Sequence, residues 1–179
     1  MERAEPDHCR PAQGAALGMT PEFWVATALG PALKLLPAKM DSPAARAMVL
    51  TICLQESRLT HRAQIGGPAH GYAQFELGGV RGVLAHAASK VHIRGVLAAL
   101  DYPPDSTDAE CYAAIQHNDI LAAAFARLLL YTLPQALPAR NNTAGGLSQY
   151  LQAWRPGRPH PDVWPANFET AWDVVSAIP

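Results

Sequence analysis

The apolar stretch from Met48 to Gln55 restricts the fold of this 179-residue chain more than any other feature. It is preceded by Ser42-Pro43, an N-cap residue followed by proline at the first helical position, which together predict the start of a helix. If that helix runs to Glu56, helical periodicity defines one stripe along it. This stripe consists of Met48, Val49, Ile52, Cys53 and Glu56. We therefore predict a buried helix that ends at a glutamate.

Glu56 lies at the end of this apolar stripe. Burial disfavours the charged form of a carboxyl group and so raises its pKa. A carboxyl group that stays protonated near neutral pH can donate a proton to the leaving oxygen of a glycosidic bond. The alternative is an ordinary helix-end glutamate that faces water or pairs with Arg58 or Arg62. The pattern indicates Glu56 as a candidate general acid.

Composition excludes several classes of protein. With 49% hydrophobic and 16% charged residues the chain is globular, and its length fits one domain that buries about 70% of its unfolded surface. A net charge of −1 offers no argument for a nucleic-acid partner, so none is expected. The cysteines and histidines show no metal-ligand spacing, so we expect neither a metal nor a cofactor.

The helical pattern continues on both sides of the first predicted helix. Thr20-Pro21-Glu22 predicts a helix start, and Gly30-Pro31 is expected to kink or break that helix. Further helices are predicted near residues 79–87, 89–100, 107–115, 120–133 and 142–154, and after Pro165. Residues 59–76 are rich in glycine and form at most a small β-hairpin or an irregular excursion. We predict a mainly α single domain over residues 20–179, after an N-terminal lead-in over residues 1–19.

Three short segments occur in a characteristic order. They are Glu56-Ser57, then Gly71-x-x-Gln74, then Ala153-Trp154-Arg155-Pro156-Gly157. This order resembles the lysozyme-like lytic transglycosylases, a family that includes soluble lytic transglycosylases and is similar to goose-type lysozymes. The resemblance covers roughly residues 42–157. The third segment departs from the family pattern, because Trp154 stands where the family has tyrosine and Arg155 where it has asparagine. Tyr150, one helical turn earlier, would supply the missing phenol.

The resemblance implies a lysozyme-like fold and cleavage of peptidoglycan glycan strands. The bond cut would be the β-1,4 bond between N-acetylmuramic acid and N-acetylglucosamine, with formation of a 1,6-anhydro end. Glu56 would act first as acid and then as base. The substrate-binding residues would be Ser57, Gly71, Tyr72, Gln74, Tyr150, Trp154 and Arg155. Some of these have structural alternatives: Gln74 can brace a loop, Ser57 can cap a helix and Arg155 can be a solvated helix-end cation.

Two other functions stay open at this stage. If Glu76 faces Glu56 across a cleft with space for water, it would be the second acid of a hydrolytic muramidase. If the departures at Trp154 and Arg155 have removed activity, the chain would be a glycan-binding or virion structural module.

The composition of the first residues and the lengths of the apolar segments predict where the protein acts. The first residues are charged and have no apolar core resembling a signal peptide, and no segment reaches the length of a membrane helix. We expect a monomer without stable membrane insertion, synthesised in the host cytoplasm. The segment from Tyr150 to Arg158 resembles phage-encoded members of the family, so an endolysin or a virion component would reach the cell wall after delivery by other means.

Overall fold

The computed structural model describes residues 19–178, and the lead-in predicted for residues 1–19 lies outside them apart from Met19. This part of the chain is mainly helical, as predicted. Its helices are α1 (Pro21–Trp24), a π-helical turn (Val25–Leu29), α2 (Gly30–Lys34), a 3₁₀ turn (Ala38–Met40), α3 (Pro43–Ser57), α4 (Leu77–Ala85), α5 (Lys90–Ala99), α6 (Asp108–Ala114), α7 (Asp119–Tyr131), α8 (Thr143–Trp154) and α9 (Trp164–Ala177).

The first helical segment passes through Gly30-Pro31 without a break. The hydroxyl of Thr20 accepts a hydrogen bond from the backbone N–H of Phe23, which caps α1 as predicted. The π-helical turn then widens the helix just before Pro31. In a regular helix the proline ring collides with the carbonyl four residues back, and π-turns are a known cause of helix kinks. The disturbance is therefore a widened turn and not an end of the helix.

The core surrounds α3, whose predicted bounds and buried stripe are confirmed. The Ser42 hydroxyl accepts a hydrogen bond from the backbone N–H of Ala45 at 3.1 Å. The apolar members of the stripe are at most 1% exposed. α3 packs most extensively against α9 and also against α7, which is buried from Leu121 to Leu130. Burial of each large apolar side chain stabilises the fold by about 1.5–3 kcal/mol, so this centre holds the end of α3 firmly in place.

Two successive left-handed residues end α3. Arg58 (φ 51°) and Leu59 (φ 55°) turn the chain away directly after Glu56-Ser57. The excursion that follows contains only isolated bridges among its described residues, which pair Ala63 with His70 and His70 with Phe75. The prediction of an irregular segment or small hairpin is therefore confirmed.

None of the helices within residues 19–178 combines the length and the apolar character that a membrane-crossing segment needs.

Candidate active site

A cleft of about 1140 Å³ lies beside the C-terminal end of α3. Its walls come from the end of the excursion, from α4, from the end of α7 and from the segment that follows α8. A smaller hollow of about 270 Å³ adjoins it and is lined by the last turn of α3 and by the start of the excursion. Glu56, Gln64 and Gln74 border both hollows. Glu56 therefore lies where a long ligand passing from one hollow to the other would meet it.

The Glu56 carboxylate contacts a phenol. The Tyr150 hydroxyl donates a hydrogen bond to Glu56 Oε1 at 2.7 Å. Tyr150 is 2% exposed, and its ring stacks on Trp164 with centroids 4.9 Å apart. Arg62 instead forms a bidentate pair with Asp119, at 2.6 and 2.8 Å. Glu56 makes no ion pair with any residue in the described range, so the helix-end ion pair considered as an alternative is not formed.

The surroundings of Glu56 raise the pKa of its carboxyl group. Burial contributes most to this increase, the hydrogen bond from Tyr150 opposes it by favouring the ionised form, and the negative charge of Glu76 adds to it. Burial also raises the pKa of the Tyr150 phenol, so the phenol remains a donor. Glu56 therefore keeps its proton to a higher pH than a free glutamate. Once the proton is transferred, the phenol stabilises the carboxylate.

Two substitutions should shift the pKa of Glu56 in opposite directions. Tyr150→Phe removes the hydrogen bond that favours the carboxylate, so the pKa should rise further. Glu76→Gln removes a negative neighbour, so the pKa should fall. Titration of the glutamate carboxyl carbons by NMR measures both shifts without depending on activity. Glu169→Gln, on the exposed face of α9, should leave this pKa unchanged. Shifts of the same sign for the first two variants would contradict this electrostatic description.

Gly71 is required by packing and not by room for a ligand. It adopts φ 70°, a conformation that glycine tolerates without strain. A Cβ atom here would lie 3.2 Å from the carbonyl oxygen of Ile115 and 3.3 Å from Cβ of Ala122. The close approach is thus to the end of α6 and to α7. Gly71, which the resemblance implied as substrate-binding, is not among the lining residues of either hollow.

Gln74 lies between the two hollows and also braces the excursion. Its side-chain amide nitrogen donates to the carbonyl oxygen of Gly71 at 2.7 Å and to that of His61 at 3.2 Å. Its backbone is left-handed, with φ 49°. The structural alternative for Gln74 is therefore realised, while its side chain still borders both hollows.

Ser57 and Tyr72 are bound to each other and to the protein interior. The Ser57 hydroxyl lies 2.8 Å from the carbonyl oxygen of Tyr72 and 3.1 Å from that of Cys53, and it accepts from the backbone N–H of Leu59. The Tyr72 ring is 5% exposed and lies beneath the guanidinium of Arg62 at 4.7 Å. The ring of Tyr72, which the resemblance implied as substrate-binding, is therefore covered by protein and is not among the lining residues of either hollow. Ser57 ties the excursion to α3, although it borders the smaller hollow.

Trp154 and Arg155 line the cleft at the end of α8. The indole N–H of Trp154 donates to the carbonyl oxygen of Ala73 at 2.8 Å, and its ring meets the edge of buried Phe75. The half-buried indole therefore joins α8 to the excursion and leaves part of its ring facing the cleft. Arg155 is exposed and left-handed, with φ 50°.

The second carboxylate of the cleft is that of Glu76. Glu76 is exposed at the N-terminus of α4, lines the cleft together with Glu56 and is close enough to raise its pKa. Asp41, an acidic residue just before α3, binds Arg46 through both carboxylate oxygens at 2.7 Å. Asp41 therefore does not pair with Glu56.

Gln55 is a site residue that the sequence did not reveal. Its amide nitrogen donates to the carbonyl oxygen of His160 at 2.9 Å, and its amide oxygen accepts from Asn167 at 2.9 Å. The segment between α8 and α9 is thereby attached to the residue next to the acid. Trp164 was also missed as the ring that supports Tyr150. Neither residue belongs to a local pattern that could have indicated its role.

The described residues include no group of three or more His, Cys, Asp or Glu side chains able to hold a metal ion. Comparisons of the chain with protein-family models, with curated proteins and with solved structures find no match.

Proposed function

We propose that the protein is a peptidoglycan lytic transglycosylase, which cleaves the β-1,4 bond from N-acetylmuramic acid to N-acetylglucosamine. The observation that carries this proposal is the 2.7 Å hydrogen bond from Tyr150 to a half-buried Glu56 at the border of a cleft. The sequence departs from the family pattern at Trp154, and Tyr150 provides a phenol beside the acid. Four of the predicted residues, Glu56, Gln74, Trp154 and Arg155, line this cleft.

In this mechanism Glu56 takes part in two proton transfers, first giving its own proton and then taking another one. Protonated Glu56 gives its proton to the glycosidic oxygen as the bond from the muramyl C1 atom to that oxygen breaks. The resulting carboxylate, stabilised by the Tyr150 hydroxyl, takes a proton from the C6 hydroxyl of the same sugar. The C6 oxygen then bonds to C1 and closes the 1,6-anhydro ring. No water is consumed, and Glu56 ends protonated, as it began.

The dimensions of the cleft support a polymeric substrate. Small-molecule pockets usually enclose about 300–1000 Å³, and this cleft is larger and continues past Glu56 into the second hollow. An acid located between two hollows suits cleavage within a bound strand, because both products need space beside it.

A hydrolytic muramidase is the second candidate, and Glu76 is the observation that favours it. Glu76 shares the cleft with Glu56 and raises its pKa, as expected for two neighbouring carboxyl groups in a glycosidase. In that case Glu76 would activate a water molecule, and the products would carry reducing ends.

Mass spectrometry of the products in water enriched in oxygen-18 tests the proposal. Purified protein should release muropeptides that end in anhydro-muramic acid and carry no heavy oxygen. Reducing ends labelled with heavy oxygen would overturn the transglycosylase in favour of the hydrolase. If the wild-type protein releases no muropeptides, the chain is a binding or structural module. The Glu56→Gln variant serves as the control, since glutamine has nearly the shape of glutamate and cannot act as the acid.

As a proposed cell-wall enzyme, the protein would reach peptidoglycan either as an endolysin released through a membrane lesion or as part of a phage particle.

A further inference from the structure

We propose that Arg155 and Arg158 form a carboxylate-binding site in the cleft, so that the protein selects acidic glycan strands over neutral ones. The ligand groups would be the carboxylates of the stem peptides, or the lactyl carboxylate of a bare muramyl residue. This inference rests on the proposed function and specifies which feature of the strand is recognised beyond its sugar rings.

These two arginines differ from most of the others in the described chain by having no acidic partner. Arginines 46, 62, 81 and 140 each bind an aspartate, and Arg127 is buried and donates to the carbonyl oxygen of Met40. Arg155 and Arg158 line the cleft, and within residues 19–178 neither forms an ion pair. Both side chains are exposed, and apart from the Arg155 Nε atom, which donates to the carbonyl oxygen of Gln152 at 3.3 Å, their guanidinium nitrogens make no hydrogen bond to the described residues. Guanidinium is the side-chain group best suited to bidentate binding of a carboxylate.

Arg155 and Arg158 belong to the segment of residues 155–160, which follows α8 and runs along the cleft. Arg155 ends α8 in the left-handed conformation, and its N–H donates to the carbonyl oxygen of Leu151 at 3.2 Å. This conformation costs a residue other than glycine about 1–2 kcal/mol. Directly before it, the indole of Trp154 is bound to Ala73. The left-handed turn therefore starts from a fixed point and carries the chain to Arg158 on the same wall.

Gln55 holds the far end of this segment. It binds the carbonyl oxygen of His160 and the side chain of Asn167 in α9 at 2.9 Å each. The arginine-bearing segment is thus attached at Trp154 and again at His160, and the second attachment is made by the residue next to Glu56. Because the segment is held at both ends, Arg155 and Arg158 stay at a defined distance from Glu56. A fixed distance lets the cleft select strands whose carboxylates lie at the matching distance from the bond to be cut.

Charge balance in the cleft agrees with this assignment. Glu56 and Glu76 line the same cleft and repel an acidic ligand when they are ionised. The two guanidinium groups, which have no acidic partner within residues 19–178, would offset that repulsion on the wall at the end of α8. Complementary potentials select partners by penalising the wrong charge, so a neutral strand would gain nothing from this wall.

Binding measurements in the Glu56→Gln background test the site without turnover. One probe is a peptidoglycan tetrasaccharide with stem peptides whose carboxylates are free. The other is the same molecule with those carboxylates converted to amides. Isothermal titration at low salt should show about tenfold tighter binding of the acidic probe, as expected for partly exposed charge-assisted contacts.

Adding Arg155→Gln and Arg158→Ala should abolish that preference and leave the affinity for the amidated probe unchanged. The unchanged affinity would itself show that the cleft is intact. Gln55→Ala should reduce the preference as well, because it releases the segment that carries the arginines. Arg94→Ala, an exposed arginine of α5 that does not line the cleft, is the matched control and should retain the full preference.

The outcomes separate this inference from the proposed function. If both probes bind equally well, or if the arginine variant keeps the preference, the carboxylate site is wrong and the transglycosylase proposal stands. If neither probe binds, the proposed function fails, and the carboxylate site fails with it.

Discussion

Replacing Glu56 with glutamine should lower the rate of the proposed peptidoglycan cleavage by about a thousandfold or more, because general acid–base catalysis contributes about 10²–10⁴-fold and the proposed mechanism uses this one residue in both steps. Loss of turbidity in a peptidoglycan suspension measures the rate. The Glu169→Gln variant, with an exposed change on α9, should match the wild-type rate. Equal rates for wild type and Glu56→Gln would remove Glu56 as the catalyst.

The same substitution should also change how stability depends on pH. The folded pKa of Glu56 is raised, so its protonated form favours the folded state. That contribution is complete below the ordinary glutamate pKa and is lost as the pH rises through the raised pKa. Glutamine does not titrate and can still accept the Tyr150 hydrogen bond. The unfolding free energy of Glu56→Gln relative to wild type should therefore increase from acid to neutral pH.

Denaturant unfolding at several pH values measures this difference. A constant difference across that range would mean that burial does not penalise the Glu56 carboxylate. Catalytic acids commonly reduce stability in this way. We therefore expect Glu56→Gln to have a higher unfolding free energy than wild type at neutral pH and a lower activity.

The second large effect is expected for Trp164→Ala. The Trp164 ring is fully buried between Tyr150 and Phe168, with centroid distances of 4.9 and 6.3 Å. Removing a large buried aromatic side chain costs about 3–5 kcal/mol, so the unfolding free energy should fall by about that amount. Activity should fall as well, because Tyr150 loses the ring that holds its phenol against Glu56.

Urea unfolding followed by circular dichroism checks the Trp164 prediction. Glu169→Ala, an exposed substitution on the same helix, should change the unfolding free energy by no more than about 0.5 kcal/mol. A loss below about 1 kcal/mol for Trp164→Ala would show that the cavity collapses easily. It would also mean that the stacking of Trp164 on Tyr150 contributes little to holding the Tyr150 phenol against Glu56.

Local patterns were enough to predict most helices and the position of the acid. Ser42-Pro43 marks the start of α3, and Thr107 with Glu110 forms the predicted capping box at α6. Both signals act through hydrogen bonds between residues three positions apart. The buried stripe of α3 follows from helical periodicity alone. Such features can be predicted because the groups that interact are close together along the chain.

The partners of Glu56 could not be derived in the same way. Tyr150 is 94 positions away in the sequence, and the phenol reaches the acid because α9 packs against α3 and α8 packs against α9. Tyr72 lies next to motif residues in sequence, yet its ring packs under Arg62 and does not line the cleft. Sequence neighbours and spatial neighbours differ here because side-chain direction depends on the tertiary contacts.

The sequence by itself determined a mainly helical chain with a buried helix that ends in an acid, because caps and periodicity act within a few residues. Only the tertiary structure decided the rest of the site. It brought Tyr150 to the acid, placed Gly71 against α7 and attached the arginine-bearing segment through Gln55. These contacts join residues distant in sequence, and burial of the common core holds them together.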